Sequence, residues 1–191
     1  MLAMDNRKVI LFSAPSGCGK TTIIKHILQH FDCFEFSISA TSRQPRGQEK
    51  HGTDYYFLST EEFKARAAKG EFLEWEEVYQ GTCYGTLKSE IDRIWDNGNI
   101  IIFDVDVNGG KNIKKYFGNK ALSIFVMPPS VEVLEQRLRS RGTDTEESIA
   151  KRLGRAEQEL SESKFFDRTI INDDLATAVE ETIQAISNFI Q

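Results

Sequence analysis

Lys8-Val-Ile-Leu-Phe12-Ser-Ala14-Pro15-Ser16-Gly17-Cys18-Gly19-Lys20-Thr21-Thr22 is the stretch whose reading decides the fold. The apolar run from Lys8 to Phe12 reads as a short strand, and the stretch from Lys20 to His30 reads as a helix. Between them, Ala14 to Thr21 matches the phosphate-loop pattern except at its first position, where Ala14 stands in place of glycine. Gly17 and Gly19 let the backbone turn its N–H groups inward. The helix that follows adds its positive end. Lys20 would reach the β- and γ-phosphates of a nucleotide, and the Thr21 hydroxyl would join a Mg²⁺ shell. The loop's share of the expected ATP-binding set is therefore Ala14, Pro15, Ser16, Gly17, Cys18, Gly19, Lys20, Thr21 and Thr22. A glycine turn followed by a chance Lys-Thr is the competing reading, and the placement between strand and helix argues against it. A positive φ at Ala14 would cost ~1 kcal/mol or more; a negative φ carries no penalty.

Working outward, Ile100 to Val105 is β-branched and continuous, Ala121 to Met127 is a second such run stopped by Pro128-Pro129, and Thr169 to Asn172 reads as a short final strand. Continuous apolar strands separated by helices imply a parallel sheet buried on both faces. Thr60-Glu61-Glu62-Phe63 resembles a cap leading into a helix that Gly70 ends. Further helices are expected from Ser130 to about Arg141, from Glu146 to about Ser163, and from Leu175 to Ile190. Residues 34 to 85, with polar turns and aromatic residues, interrupt this rhythm and read as an inserted α+β lobe.

The 191 residues suit one globular domain with small lobes, and the net charge of −5 excludes a broad surface for a nucleic-acid polymer. No apolar run approaches the ~20 residues of a membrane span. The polar N-terminus lacks the features of a secretory signal. Cys18, Cys33 and Cys83 are odd in number and have no CxxC spacing, which points to a reducing cytoplasm. Cys18 and Cys83 would be reactive only if exposed. His26 and His30 share a helix face, but with no third ligand they read as a surface pair.

Ser37-Ile-Ser39-Ala-Thr41-Ser42-Arg43-Gln-Pro45-Arg46-Gly47, followed by Gly52-Thr-Asp54-Tyr55-Tyr-Phe57, resembles the GMP-binding segment of guanylate kinases. Phe72-Leu-Glu74-Trp75, Tyr84-Gly85-Thr86, Asp104-Val-Asp106, Arg141-Gly142-Thr143, Lys151-Arg152-Leu153 and Ile171-Asn172-Asp173 extend the likeness in family order over nearly the whole chain. Two positions depart from the pattern: Cys83 stands where a tyrosine is usual, and Ser42 where a threonine is common. The resemblance implies an α/β, P-loop NTPase three-layer fold with a central parallel sheet. Its core would be 1–33, 87–137 and 164–191, its inserted α+β GMP-binding lobe 34–86, and its helical lid 138–163.

The resemblance also implies roles. Arg43, Arg46, Tyr55 and Tyr84 would hold the GMP phosphate, and two guanidinium forks with two phenols suit a dianion. Ser39, Glu74, Thr86 and Asp106 would read guanine, whose N1–H and N2–H donors suit an anionic acceptor such as Glu74. Adenine lacks the N1–H and would leave such acceptors unpaired. Trp75 reads as packing. Asp104 and Asp106, taken as alternate residues at the end of one strand, would point the same way, Asp104 toward Mg²⁺-linked water and Asp106 toward the base. Lys20, Arg43, Arg137, Arg141 and Arg152 form the expected catalytic set, with Arg137 and Arg141 one helical turn apart. Arg139 and Arg155 fit surface ion pairing better. Arg137 and Arg141 would also bind ATP, and Asn172 would lie near its adenine or ribose.

The implied activity is transfer of the γ-phosphate of ATP to GMP, giving ADP and GDP, with Mg²⁺ as cofactor and closure of lobe and lid to exclude water. The expected location is the cytoplasm, and the state is a monomer or homodimer. Two other readings stand beside it: a kinase for AMP or UMP, and a binding module with the same fold that takes phosphorylated protein partners without catalysis.

Overall fold

A computed structural model describes residues 7–79, 81–140 and 145–191. In chain order the elements are β1 (Val9–Ser13), α1 (Lys20–His30), β2 (Phe34–Phe36), β3 (Ala40–Thr41), β4 (Tyr56–Phe57), α2 (Thr60–Ala68), β5 (Phe72–Tyr79), β6 (Thr82–Leu87), α3 (Lys88–Asp96), β7 (Ile100–Asp104), α4 (Val107–Phe117), β8 (Ala121–Met127), α5 (Val131–Ser140), α6 (Glu146–Ser161), β9 (Arg168–Ile171) and α7 (Leu175–Ile190). They form a five-stranded sheet in the order β2-β7-β1-β8-β9 and a four-stranded sheet in the order β4-β3-β6-β5. In the larger sheet β2–β7, β1–β8 and β8–β9 pair in parallel, so the expected α/β architecture with a central parallel sheet is present. The chain divides into two compact units, one holding Cys33–Ile102 and the other Lys8–Asp32 with Phe103–Gln191.

In the second unit every residue of β1 is buried, as are the first six of β8. This is the burial of strands covered on both faces, and it explains why they read as unbroken apolar runs. Helix α1 contributes Ile23, Ile24 and Ile27 to the interior, the i, i+3, i+4 spacing of one helical face. Thr145 and Asp174 cap α6 and α7 by accepting from Ser148 and Thr177 backbone N–H groups.

In the first unit the small sheet is mostly antiparallel, with β6 between β3 and β5. Ala40, Leu58, Phe63, Phe72, Cys83 and Leu87 form its buried core. The rings of Phe63 and Phe72 stack at 4.3 Å, which docks α2 on the sheet.

The structure differs from the sequence reading at four places. Phe34–Phe36 pairs in parallel with Ile100, Ile101 and Ile102, so the insertion leaves the parallel sheet after Phe36 and not at residue 34. Three residues at a sheet edge are too short to show a strand period. The cap of α2 is Ser59, which accepts from Glu62 N, and Thr60 is the first helical residue. Helices α3 and α4 were not legible. Gly109 and Gly110 in α4 read as breakers, and α3 offers only Ile91 and Ile94 against a charged face. Finally, β7 ends at Asp104, and Asp106 is the N-cap of α4.

Candidate active site

The second unit carries the phosphate loop. Gly17 and Gly19 adopt φ of 104° and 88°, and no described residue other than glycine has a positive φ. Ala14 therefore sits at negative φ and its methyl group carries no backbone strain. Gly19 caps α1 in the left-handed region with no side-chain bond to the first turn. The first-turn N–H groups of α1 thus face a place suited to anion oxygens. Lys20, first of the loop's Lys-Thr pair, forms an ion pair with Asp104. Burial pulls the Lys20 ammonium down to about 8, against the opposing pull of Asp106, Glu159 and Cys18. Cys18 is buried; Thr21 and Thr22 are exposed at the helix start.

Two of the three expected lid arginines are described; one reaches the phosphate loop and the other the residue whose side chain bonds it. Arg152 of α6 donates from Nη1 to Ser16 Oγ at 2.6 Å. Arg137 of α5 donates from Nη2 to the Asn172 carbonyl at 2.9 Å, while its buried Nη1 has no hydrogen-bond partner among the described residues. Arg141, with Gly142, Thr143 and Asp144, lies outside the described residues. Arg139 pairs with Glu135 and Glu146, and Arg155 with Glu159, the surface ion pairing expected of them. Asn172 is 6% exposed, and its Nδ2 donates to the Cys18 carbonyl at 2.8 Å. Its amide braces the phosphate loop.

Asp104 and Asp106 are held differently from a strand pair. Asp106 lies past the strand end, its Oδ1 accepting from Gly109 N at 2.8 Å. Alternation along a strand therefore does not set its direction; the cap does. Asp106 lines a cavity of about 240 Å³ with Asn108, Lys111, Arg155 and Glu159.

The first unit gathers the other expected set. Arg43 donates to both oxygens of Glu49, at 2.6 and 2.8 Å, and from Nε to the Tyr84 hydroxyl at 3.1 Å. Its guanidinium lies 4.8 Å from the Tyr55 ring centre, and the Tyr55 and Tyr84 rings meet edge to face. Arg46 closes the turn by donating its backbone N–H to Glu49 at 2.8 Å. Arg43 holds the Glu49 carboxyl down at about 2, with help from the Arg46 N–H. Glu49 in turn keeps Arg43 firmly charged, and burial pushes the Tyr55 phenol up. A fork gripping a planar carboxylate beside two phenols is the donor set that a phosphate needs. Sequence reasoning passed over Glu49; the only signal was a carboxylate three residues after Arg46 in a turn.

Glu74 and Thr86 face each other across β5 and β6, and Thr86 Oγ1 donates to Glu74 Oε1 at 2.8 Å. In a regular strand Phe72 and Glu74 would share a face. A register shift between them pairs Phe72 with Leu87 but Glu74 with Thr86. The bulge sends Phe72 into the core and Glu74 to the other side. Gly85 makes this possible, since a β-carbon there would lie 2.6 Å from the Glu74 carbonyl oxygen. Trp75 is 45% exposed and meets Phe63 edge to face, the packing role expected of it. Ser39 is half-buried just before β3, its carbonyl accepting from Tyr56 N. The two departures from the family pattern touch: Ser42 N donates to the Cys83 carbonyl at 3.0 Å, and Cys83 N donates to Ser42 Oγ at 2.8 Å.

Among the described residues, no helix is long and apolar enough to cross a membrane, and no group of three metal-ligating side chains gathers. His26 and His30 are both exposed.

The family model for guanylate kinase matches residues 6–189. A guanylate kinase from Bacteroides fragilis is 54% identical over 183 residues, covering 96% of this chain and 90% of that protein. One from Porphyromonas gingivalis is 52% identical over 184 residues, covering 96% and 98%. The crystal structure of guanylate kinase from Anaplasma phagocytophilum superposes with a TM-score of 0.69 at 31% identity, covering 96% of this chain and 84% of that one. With a phosphate loop in one unit, an arginine–tyrosine cluster and a bulge-borne carboxylate in the other, and these matches over nearly its whole length, the chain belongs to the guanylate kinase family.

Proposed function

We propose a residue-level account of the reaction that follows from the family, in which the γ-phosphate of ATP passes to GMP and leaves ADP and GDP. The GMP phosphate is held by Arg43, Arg46, Tyr55 and Tyr84. Its guanine is read by Glu74 and Thr86, together with Ser39 and Asp106. The bulge that turns Glu74 out of the core and onto Thr86 is the observation that carries this reading. A carboxylate held there accepts from the N1–H and N2–H edge of guanine, and its unpaired charge rejects adenine.

ATP lies on the loop from Ala14 to Thr22. Lys20 exchanges its ion pair with Asp104 for the β- and γ-phosphates. Arg137, Arg152 and Arg141 stabilise charge on the transferring oxygens, Arg137 through the Nη1 group that donates to no partner among the described residues. Asn172 lies near the adenine or ribose of ATP in this account, and its amide also braces the loop through the Cys18 carbonyl. The oxygen donors of Thr21 and Asp104 fit Mg²⁺, which is held mainly through water and ATP in this account. When bound, the ion neutralises phosphate charge.

Transfer is in line, with no phosphoenzyme. The acceptor is already anionic near neutral pH, so no side chain need act as general base. Positioning and electrostatics supply the rate. The core, GMP-binding lobe and lid keep the bounds given above, with the lobe shortened to begin after Phe36. A cytoplasmic location accords with both substrates. A coupled assay that follows ADP release with ATP and each of GMP, AMP, UMP and CMP tests the reading. GMP should be turned over at least ~100-fold more efficiently than AMP. Phosphopeptide binding without ADP release would favour the binding-module reading instead.

A further inference from the structure

Glu90 belongs to none of the motifs shared with the family, yet it is the most deeply buried carboxylate among the described residues of the first unit. It stands in the first turn of α3, with its side chain 1% exposed. A carboxylate at such depth is tolerated only when its charge and its lone pairs are matched. Both conditions are met. Oε1 accepts from the Ile38 backbone N–H at 2.9 Å and from Arg93 Nη2 at 2.8 Å. Oε2 accepts from the Tyr56 hydroxyl at 2.8 Å and from Arg93 Nε at 2.9 Å. Arg93 is itself anchored on Glu35, which Asn97 and Asn99 also bond. Glu35 and Arg93 are the charged groups that meet Glu90 through this network, and Glu90, ahead of Glu35, keeps Arg93 firmly charged.

We infer that Glu90 is a positioning residue for the acceptor nucleotide, tying together the two chain segments that carry Ser39 and Tyr55. This rests on the reading of those two residues as GMP contacts. Residues 37–39 lie outside any strand, and the backbone there is held by two bonds, Ser37 N–H to the Ile102 carbonyl and Tyr56 N–H to the Ser39 carbonyl, both at 2.9 Å. Ile38, immediately before Ser39, spends its N–H on Glu90 instead. Tyr56, immediately after Tyr55, spends its hydroxyl on the other oxygen of the same carboxylate. The strands that follow, β3 and β4, are two residues each and are joined by Tyr56 N–H to the Ser39 carbonyl and Leu58 N–H to the Thr41 carbonyl, so Glu90 adds a side-chain brace to a short backbone pairing. Burial and Glu90 both push the Tyr56 phenol up, which keeps it a donor at neutral pH. A plain i, i+3 helix pair with Arg93 would leave Glu90 in solvent; instead it reaches two other parts of the chain.

The test is a split between the two substrates. Glu90→Gln keeps the volume but turns one acceptor oxygen into a donor, which faces either Ile38 N–H or the Tyr56 hydroxyl, and Arg93 in both cases. The KM for GMP should rise about ten-fold, with the KM for ATP within about two-fold and kcat at saturating GMP largely retained. Tyr56→Phe removes one arm and should raise the KM for GMP about three-fold, and the double variant should show less than the product of the two effects. Parallel rises in both KM values, or a fall in kcat with the KM for GMP unchanged, would overturn the inference. Should Glu90→Gln not fold, Tyr56→Phe decides alone by the same split. Ser39→Ala and Tyr55→Phe are measured alongside: an unchanged KM for GMP in both sinks the contact reading itself. A shift in those two without one in the Glu90 and Tyr56 variants sinks only the inference.

Discussion

Gly19 and Asn172 lie so close that a β-carbon on Gly19 would sit 2.2 Å from the Asn172 side-chain nitrogen. The same nitrogen bonds the Cys18 carbonyl, and the Asn172 carbonyl receives Arg137. One residue after β9 thus holds the phosphate loop by its side chain and an arginine by its backbone. Gly19 is needed twice over, for its φ of 88° and for this approach.

Gly19→Ala is therefore expected to destabilise the protein by ~2 kcal/mol or more and to weaken ATP binding. Asn172→Ala should cost ~1–3 kcal/mol in the parent by removing the donor to Cys18. In the Gly19→Ala background it should cost less, because the clash disappears with the amide. Denaturant unfolding of the four proteins checks the coupling; strictly additive losses would mean that the contact carries no weight.

Lys20 pairs with Asp104 and lies where the β- and γ-phosphates are expected. Lys20→Met should lower turnover with ATP and GMP by ~100-fold or more, since a cation aimed at transferring oxygens is removed. Steady-state kinetics at saturating substrates measure this, and intact turnover would remove Lys20 from the mechanism.

The cysteines should divide by burial. Cys18 and Cys83 are 0% exposed, while Cys33 is exposed. Burial pushes the Cys83 thiol up, which further suppresses the thiolate. A chromogenic disulfide reagent should titrate one thiol in the native protein and all three after unfolding. Rapid modification of Cys83 in the native state would mean that the Ser42–Cys83 strand contact opens readily.

Glu49 links the Arg43–Arg46 turn to pH. Its folded-state value is lowered from 4.5 to about 2, so the folded protein prefers the ionised form. The stability this gives is fully present above about 4.5 and is lost as pH falls toward about 2. The stability gap between the parent and Glu49→Gln should narrow over that window and also shrink with added salt, because the pair is partly solvated. A gap that is flat from pH 5 to 2 would contradict the assignment.

The phosphate loop and its flanking strand and helix were legible because one local pattern fixes them: an apolar strand, glycines where the backbone must reverse, and Lys-Thr opening a helix. Strands β7 and β8 were legible because burial on both faces leaves no polar interruption. The carboxylate Glu74 could be named but its direction could not, since it depends on a register shift between β5 and β6. Asp106 was given a strand's geometry because nothing in Asp-Val-Asp reveals where the strand stops. Glu49 and Glu90 were missed for the same kind of reason. Their partners lie in other segments, and a lone glutamate in a charged stretch reads as solvated surface.

The most direct test of guanine selection is the ratio of kcat/KM for GMP to that for AMP in Glu74→Gln. A glutamine keeps Thr86 within reach but loses the charge that accepts from the guanine edge. The ratio should fall by ~10-fold or more, chiefly through GMP. An unchanged ratio would contradict the assignment of Glu74 to the base.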